Sequence, residues 1–205
     1  MSLGTRIMTN LFVTLTLIAD VFAIWVYVTV LLASLRVPAP FAFTARSLRD
    51  WVRPLATLIA ATCMAGSLYY SEIVGFAPCR LCIYQRIAMY PLVFILGVGL
   101  WPRAQRITRR IAVPFVVIGA GIACYHWLVE RIPALAETSS CSLKIPCSVP
   151  WFTWLGFITI AWMSLTGFLA IGACLVCEAW NARRDAIVTG VDGRLDADSD
   201  ERTTA

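Results

Sequence analysis

Five long apolar runs dominate the chain, at residues 11–35, 54–71, 83–101, 111–129 and 151–177. Each approaches or exceeds the roughly 20 residues that a helix needs to cross a bilayer. Apolar residues fill the runs continuously instead of alternating at period two, which predicts spanning helices rather than barrel strands. Charge, proline or aromatic residues mark the ends: Arg36 with Pro38, Arg53 with Pro54, Trp101 with Pro102, and Pro150 with Trp151. Tryptophan at such ends suits the interfacial belt of a membrane protein. The first run is longer than a signal-peptide core and no Ala-x-Ala site follows it, so it reads as a retained helix. No internal repeat is visible. The polar, acidic stretch 185–205 has no helical stripe and reads as a disordered tail.

Composition sharpens this pattern. Of 205 residues, 60% are hydrophobic and only 14% are charged, against about 25% charged in a soluble domain. The mean hydropathy is +0.77. An ordinary soluble domain is excluded. The net charge of +5 does not form a basic face interleaved with aromatics, which argues against a nucleic-acid partner. The charge instead reads as topology. Arg36, Arg46, Arg49, Arg53, Arg103, Arg106, Arg109, Arg110, Arg183 and Arg184 fall on one side of five alternating spans, and Arg6, Arg80, Arg131 and Lys144 on the other. The positive-inside rule then puts the N-terminus outside and the C-terminus inside. The exterior segments 72–82 and 130–150 hold Cys79, Cys82, Cys141 and Cys147, half of the eight cysteines.

Those four cysteines carry the candidate chemistry. Cys79-Arg80-Leu81-Cys82 is a Cys-x-x-Cys, compatible with a redox dithiol, half a zinc site or a structural bridge. For zinc, Cys141 and Cys147 would complete a set of four, but their five-residue gap exceeds the usual two to four. An exterior compartment favours disulfides over reduced thiolates. A purely bracing role accounts for little, because a seven-residue ring removes only about 2.4 kcal/mol of unfolded-state entropy. With a helix starting near Pro78 or Cys79, Cys82 sits in the first turn, where free N–H groups favour a thiolate. Arg86 follows one turn deeper on the same face, and an arginine in a span is a functional candidate by default. The chain shows no haem or flavin motif, so electrons collected by thiol exchange need a carrier dissolved in the bilayer, such as a quinone.

Pro78-Cys-Arg-Leu-Cys-Ile-Tyr-Gln-Arg86, with Met89-Tyr90-Pro91, closely resembles the signature of the disulfide bond formation protein B family, DsbB and its BdbC-type relatives. The likeness continues through Tyr125-His126 and Cys141-Ser-Leu-Lys-Ile-Pro-Cys147 to Trp154-Leu155-Gly156-Phe157 in the last span. Its short second loop is similar to the BdbC type. The resemblance implies an all-α polytopic membrane protein, a four-helix bundle over 51–180. Residues 1–50 add an N-terminal transmembrane helix with a basic cytoplasmic loop, and 181–205 form the acidic tail. It also implies a bacterial cytoplasmic (inner) membrane thiol oxidase. Such an enzyme reoxidises a thioredoxin-fold, DsbA-like partner and passes electrons to a membrane quinone (menaquinone or ubiquinone) and the respiratory chain. By position, Cys141 corresponds to the cysteine that forms the mixed disulfide with the partner, and Cys147 to the one that next engages Cys79. Cys82 corresponds to the quinone-contacting thiolate, with Arg86 as its electrostatic support and His126 as a further quinone-site candidate. No resident metal is implied.

Two features depart from the family. The first span is additional, and its Asp20 costs at least about 2.5 kcal/mol in a bilayer unless paired, solvated or protonated. Cys174-Leu-Val-Cys177 lies at the inner end of the last span and reads as an inert apolar pair, as do Cys63 and Cys124 within spans. Two rival readings remain: a vitamin K epoxide reductase-like oxidoreductase, and a membrane scaffold or metal-handling protein with structural cysteines. The first is disfavoured because its Cys-x-x-Cys comes late in the bundle.

Overall fold

A computed structural model describes residues 3–34, 46–138 and 146–203, with side chains left aside at 33–34, 136–138 and 188–203. Helices carry the fold, and no strand occurs among the described residues. They are α1 (Leu3–Ser34), α2 (Val52–Leu68), α3 (Arg80–Val98), α4 (Gln105–Val129), the short α5 (Pro133–Thr138) and α6 (Ile160–Thr203). One π turn, Tyr69–Ile73, extends α2, and a 3-10 turn, Pro102–Ala104, leads into α4. All five long helices are apolar and long enough to cross a membrane, so this is a multi-pass membrane protein.

Helices α2, α3, α4 and α6 form a closed ring, each packing on the next, and α1 lies outside it against α6. The anticipated four-helix bundle with one additional helix is therefore the observed architecture. α6 is its centre: Phe168, Ala170, Ile171, Ala173, Cys174 and Cys177 are fully buried. Lipid tails are as apolar as leucine, so close backbone approach and polar contacts decide how such helices meet. Gly119 of α4 makes room for Phe168, whose ring would lie only 2.2 Å from a Cβ at that position. At the end of the bundle away from Cys79, Arg53 of α2 is buried. It donates to Thr108 Oγ1 (2.7 Å) and Gln105 O of α4 and pairs with Glu178 of α6. Arg109 also reaches Glu178, at 3.3 Å. Composition makes Arg53 a flanking cation, whereas the bundle uses it as a clamp across three helices.

α1 is fastened by the residue that the sequence leaves unexplained. Asp20 accepts hydrogen bonds from Trp162 Nε1 (3.0 Å) and Thr166 Oγ1 (2.6 Å), both on α6. The polar partner thus exists, and satisfying both oxygens offsets the desolvation of the carboxylate. Tyr27 Oη donates to Leu169 O at 3.1 Å.

Two expectations are corrected. The last span begins at Ile160 rather than Trp151, so Trp154-Leu155-Gly156-Phe157 lies outside it. Leu155 (φ 50°) and Gly156 (φ 78°) are both left-handed, which no α-helix tolerates, and Trp154 and Ile158 exchange two 2.9 Å backbone bonds around them. A type I′-like hairpin turn replaces the first two helical turns, and Trp127 Nε1 holds it by donating to Phe157 O at 3.2 Å. At the other end, α6 runs to Thr203, through the polar stretch assigned to a disordered tail. The stretch contains no proline, and extending an existing helix needs only one residue fixed per bond gained.

Gly119→Ala is expected to lower stability by about 1–3 kcal/mol through overpacking against Phe168. Gly121→Ala, where a Cβ meets nothing within 4 Å, is expected to be neutral. Thermal unfolding in detergent distinguishes the two, and equal melting temperatures would show that Phe168 is free to move aside.

Candidate functional site

The Cys-x-x-Cys caps α3. Cys79 is the N-cap residue, extended at φ −72°, ψ 170°, and its sulfur accepts the backbone N–H of Cys82 at 3.3 Å. A sulfur therefore takes the place that a serine or aspartate oxygen holds at other helix starts. Both cysteines are free thiols with their sulfurs 2.9 Å apart. The sequence argument puts the thiolate-stabilising first turn under Cys82, but the stabilising groups converge on Cys79. Its thiol is lowered to about 4, chiefly because the Cys82 thiol donates to it and further because His126 lies alongside, while burial opposes both.

His126 of α4 is buried, with Nε2 3.6 Å from Cys79 Sγ and Nδ1 3.0 Å from Gln85 Nε2. When the Gln85 amide donates to Nδ1, the imidazole proton sits on Nε2 and points at the sulfur. Nε2 also lies 3.9 Å from Glu130 Oε1, and Glu130 Oε2 accepts from Thr159 Oγ1 at 2.6 Å. Burial raises the Glu130 carboxyl above its ordinary range, with the Thr159 bond and His126 acting in the opposite direction. Glu130, Gln85 and Thr159 did not emerge from the sequence. The available signal was an i, i+4 pair, His126 and Glu130, at the end of a span.

The two sulfurs face different spaces. Cys79 lines a small cavity of about 20 Å³ with His126, Glu130, Cys147 and Trp151. Cys147 is 2% exposed, packs in one cluster with Cys79 and Val129, and is disulfide-bonded. Cys141 lies outside the described residues. Cys82 instead lines a chamber of about 440 Å³ with Arg86, Gln85 and Tyr90 of α3. Arg86 does not snorkel to the surface. Its Nη2 donates to Ser67 O of α2 at 3.0 Å, while its buried Nε and the buried Tyr90 hydroxyl have no partner. A stack of Tyr70, Phe76 and Trp151 lines the chamber, with ring centroids 5.8 and 4.7 Å apart. His126 lines the small cavity with Cys79, its ring held between Gln85 and Glu130.

The remaining cysteines are scattered. Cys63 lines the chamber, Cys124 is exposed, and Cys174 and Cys177 are buried free thiols on α6.

A helical membrane bundle with a capped, activated dithiol between two cavities has the makings of a thiol–disulfide redox protein. Residues 49–178 match the model of the family described as disulfide bond formation protein DsbB, and the chain belongs to that family; it is a thiol oxidoreductase. It is 42% identical over 114 residues to disulfide bond formation protein C of Bacillus subtilis (strain 168), covering 56% of this chain and 82% of that protein. It is 39% identical over 117 residues to a probable disulfide formation protein C of Halalkalibacterium halodurans, covering 57% and 85%. A probable disulfide formation protein C 2 of Bacillus cereus (strain ATCC 10987 / NRS 248) is 38% identical over 134 residues, covering 63% and 95%. No solved structure matches the chain. α1 falls outside the matched residues.

The pH midpoint for alkylating Cys79 is expected near 4 in the wild type and higher once its stabilising groups are removed. Each unit of rise corresponds to about 1.4 kcal/mol of lost thiolate stabilisation. Cys82→Ala is expected to raise it more than His126→Gln, following the order of the causes. Mass spectrometry of iodoacetamide-labelled protein measures both, and the reverse order would make His126 the main activator.

Proposed function

We propose that this protein is a quinone-dependent thiol oxidase that reoxidises a thioredoxin-fold, DsbA-like partner outside the cytoplasmic membrane. The carrying observation is the division of the dithiol, with Cys79 beside Cys147 and Cys82 in a separate chamber beside Arg86. A partner thiolate attacks Cys141 of a Cys141–Cys147 disulfide, and Cys147 leaves as thiolate. The partner's second thiolate then attacks its own bridged sulfur, so the partner departs oxidised and the Cys141/Cys147 dithiol remains. Cys147 next attacks Cys79 of a Cys79–Cys82 disulfide and expels the Cys82 thiolate into the chamber. Cys141 then attacks Cys147, re-forming their disulfide and releasing Cys79 as the second thiolate of the Cys79/Cys82 dithiol. Each step exchanges one S–S bond for another through a thiolate. Oxidation of the resulting dithiol releases two electrons and two protons, which a quinone takes up in becoming quinol.

The chamber suits a quinone. Its apolar lining accepts a flat ring, and the unpartnered Arg86 Nε and Tyr90 hydroxyl can donate to the two carbonyl oxygens. His126, held by Gln85, lies against the Cys79 sulfur and supports its thiolate. The basic-residue distribution orients the cysteine end outward, with the N-terminus outside and the C-terminus inside.

The test is a purified system of protein, reduced thioredoxin-fold partner and quinone, followed by quinone absorbance. Cys82→Ser is expected to abolish reduction, and Arg86→Gln to slow it by roughly 10–100-fold, about 1.4–2.8 kcal/mol of barrier. Reduction that continues unchanged in Cys82→Ser would overturn the assignment. A reduced partner lacking its second cysteine is expected to accumulate a covalent complex through Cys141, visible as a shifted band on a non-reducing gel; a band that persists after Cys141→Ser would overturn that role. One observation favours a metal-handling reading: donor atoms of Cys79, Cys82 and His126 all lie within 4.8 Å of one another. Stoichiometric zinc in purified protein that reduces no quinone would establish it.

A further inference from the structure

We infer that α1 is the outer wall of the chamber and holds the isoprenoid tail of the quinone, an inference that rests on the quinone reading above. The chamber is not enclosed by the family bundle alone. Phe12, Leu15, Thr16, Ile18, Ala19 and Phe22 of α1 line it, opposite a face of α2 running from Leu55 to Tyr70. That face is about 22 Å long at 1.5 Å per residue, far more than an aromatic ring needs. Chemistry divides along this length. Cys82, Gln85, Arg86 and Tyr90 gather on α3, while α1 and α2 face the space with mainly apolar residues, among them only the hydroxyls of Thr16, Thr62 and Ser67.

A slot with hydrogen-bond donors at one place and a long apolar remainder matches an uncharged ring bearing a hydrocarbon tail.

α1 is fixed on both sides of this slot. Near its N-terminal end, the Phe12 ring lies against Gly66 of α2, where a Cβ would come within 3.1 Å. Tyr70 Oη donates to Thr9 Oγ1 at 3.2 Å. Further along, Asp20 is bonded to Trp162 and Thr166, and Tyr27 to Leu169 O. The wall is thus tied to α2 above and α6 behind, and the slot lies between these ties. Leu15, Ile18 and Leu58 are partly exposed at its rim, where it opens toward lipid and a tail can enter sideways.

The test compares full-length wild type with Ala19→Phe, which fills the slot without touching the dithiol. Two matched pairs are the probes: menaquinone with tailless menadione, and ubiquinone with its tailless ring. Binding is followed by quenching of tryptophan fluorescence, and turnover by quinone absorbance. The expected result is a roughly tenfold rise in Kd and KM for the tailed quinones, with tailless Kd, KM and kcat unchanged. Ala19→Leu, a smaller obstruction, is expected to give a lesser rise of the same kind and serves if the larger variant does not fold. An active wild type whose variants affect tailed and tailless quinones alike, or neither, overturns the wall and leaves the quinone reading standing. A wild type that binds and reduces none of the four overturns both.

Discussion

The bundle depends on Arg53. In lipid the hydrophobic effect does not choose which helix faces meet, and a guanidinium buried between helices is tolerated only if its donors are used. Arg53 uses its two terminal nitrogens on Thr108 and Gln105 of α4 and on Glu178 of α6, leaving Nε without a partner, and so draws three helices together at one end. The absence of a side chain at Gly99 is part of this arrangement, because a Cβ there would collide with the guanidinium. Removing one member of such a cluster leaves a buried charge without compensation, a defect of about 3–5 kcal/mol. The small cavity lies at the opposite end, and the chamber runs from there back to Leu55, close to the clamp.

The cysteine end exploits a local geometric fact. A Cys-x-x-Cys at a helix start places the first sulfur on the cap and the second in the first turn, close together but directed to different surroundings. Here Cys79 turns toward α4 and Cys147, and Cys82 toward the chamber between α1, α2 and α3. The two sulfurs of one dithiol thus face separate spaces. His126, Gln85, Glu130 and Thr159 form a connected polar chain on the Cys79 side. The chamber on the other side is lined mainly by apolar surface, with Arg86 as its charged residue.

Some of this was legible in the chain. The four cysteines, Arg86 and the five helices follow from apolar run length, motif spacing and the rarity of charge in a span. The end of the last span was not, because Trp154-Leu155-Gly156-Phe157 is as apolar as a helix and only its left-handed backbone gives it away. Nor was the side on which His126 works, since a lone histidine carries no mark of which cavity its ring will face. Asp20 was conspicuous as a charge out of place, but its partners stand more than 140 positions away on α6.

The sequence by itself determined the membrane class, the number of spans and the place of the Cys-x-x-Cys at a helix start, because each depends on residue type and short spacing. Tertiary structure alone decided which cysteine receives the thiolate-stabilising bonds, which cavity each sulfur serves and what the additional helix covers. Those outcomes turn on helix rotation and contact between distant residues. A few ångströms of displacement at the cap of α3 would exchange the surroundings of Cys79 and Cys82 without altering one residue of the motif.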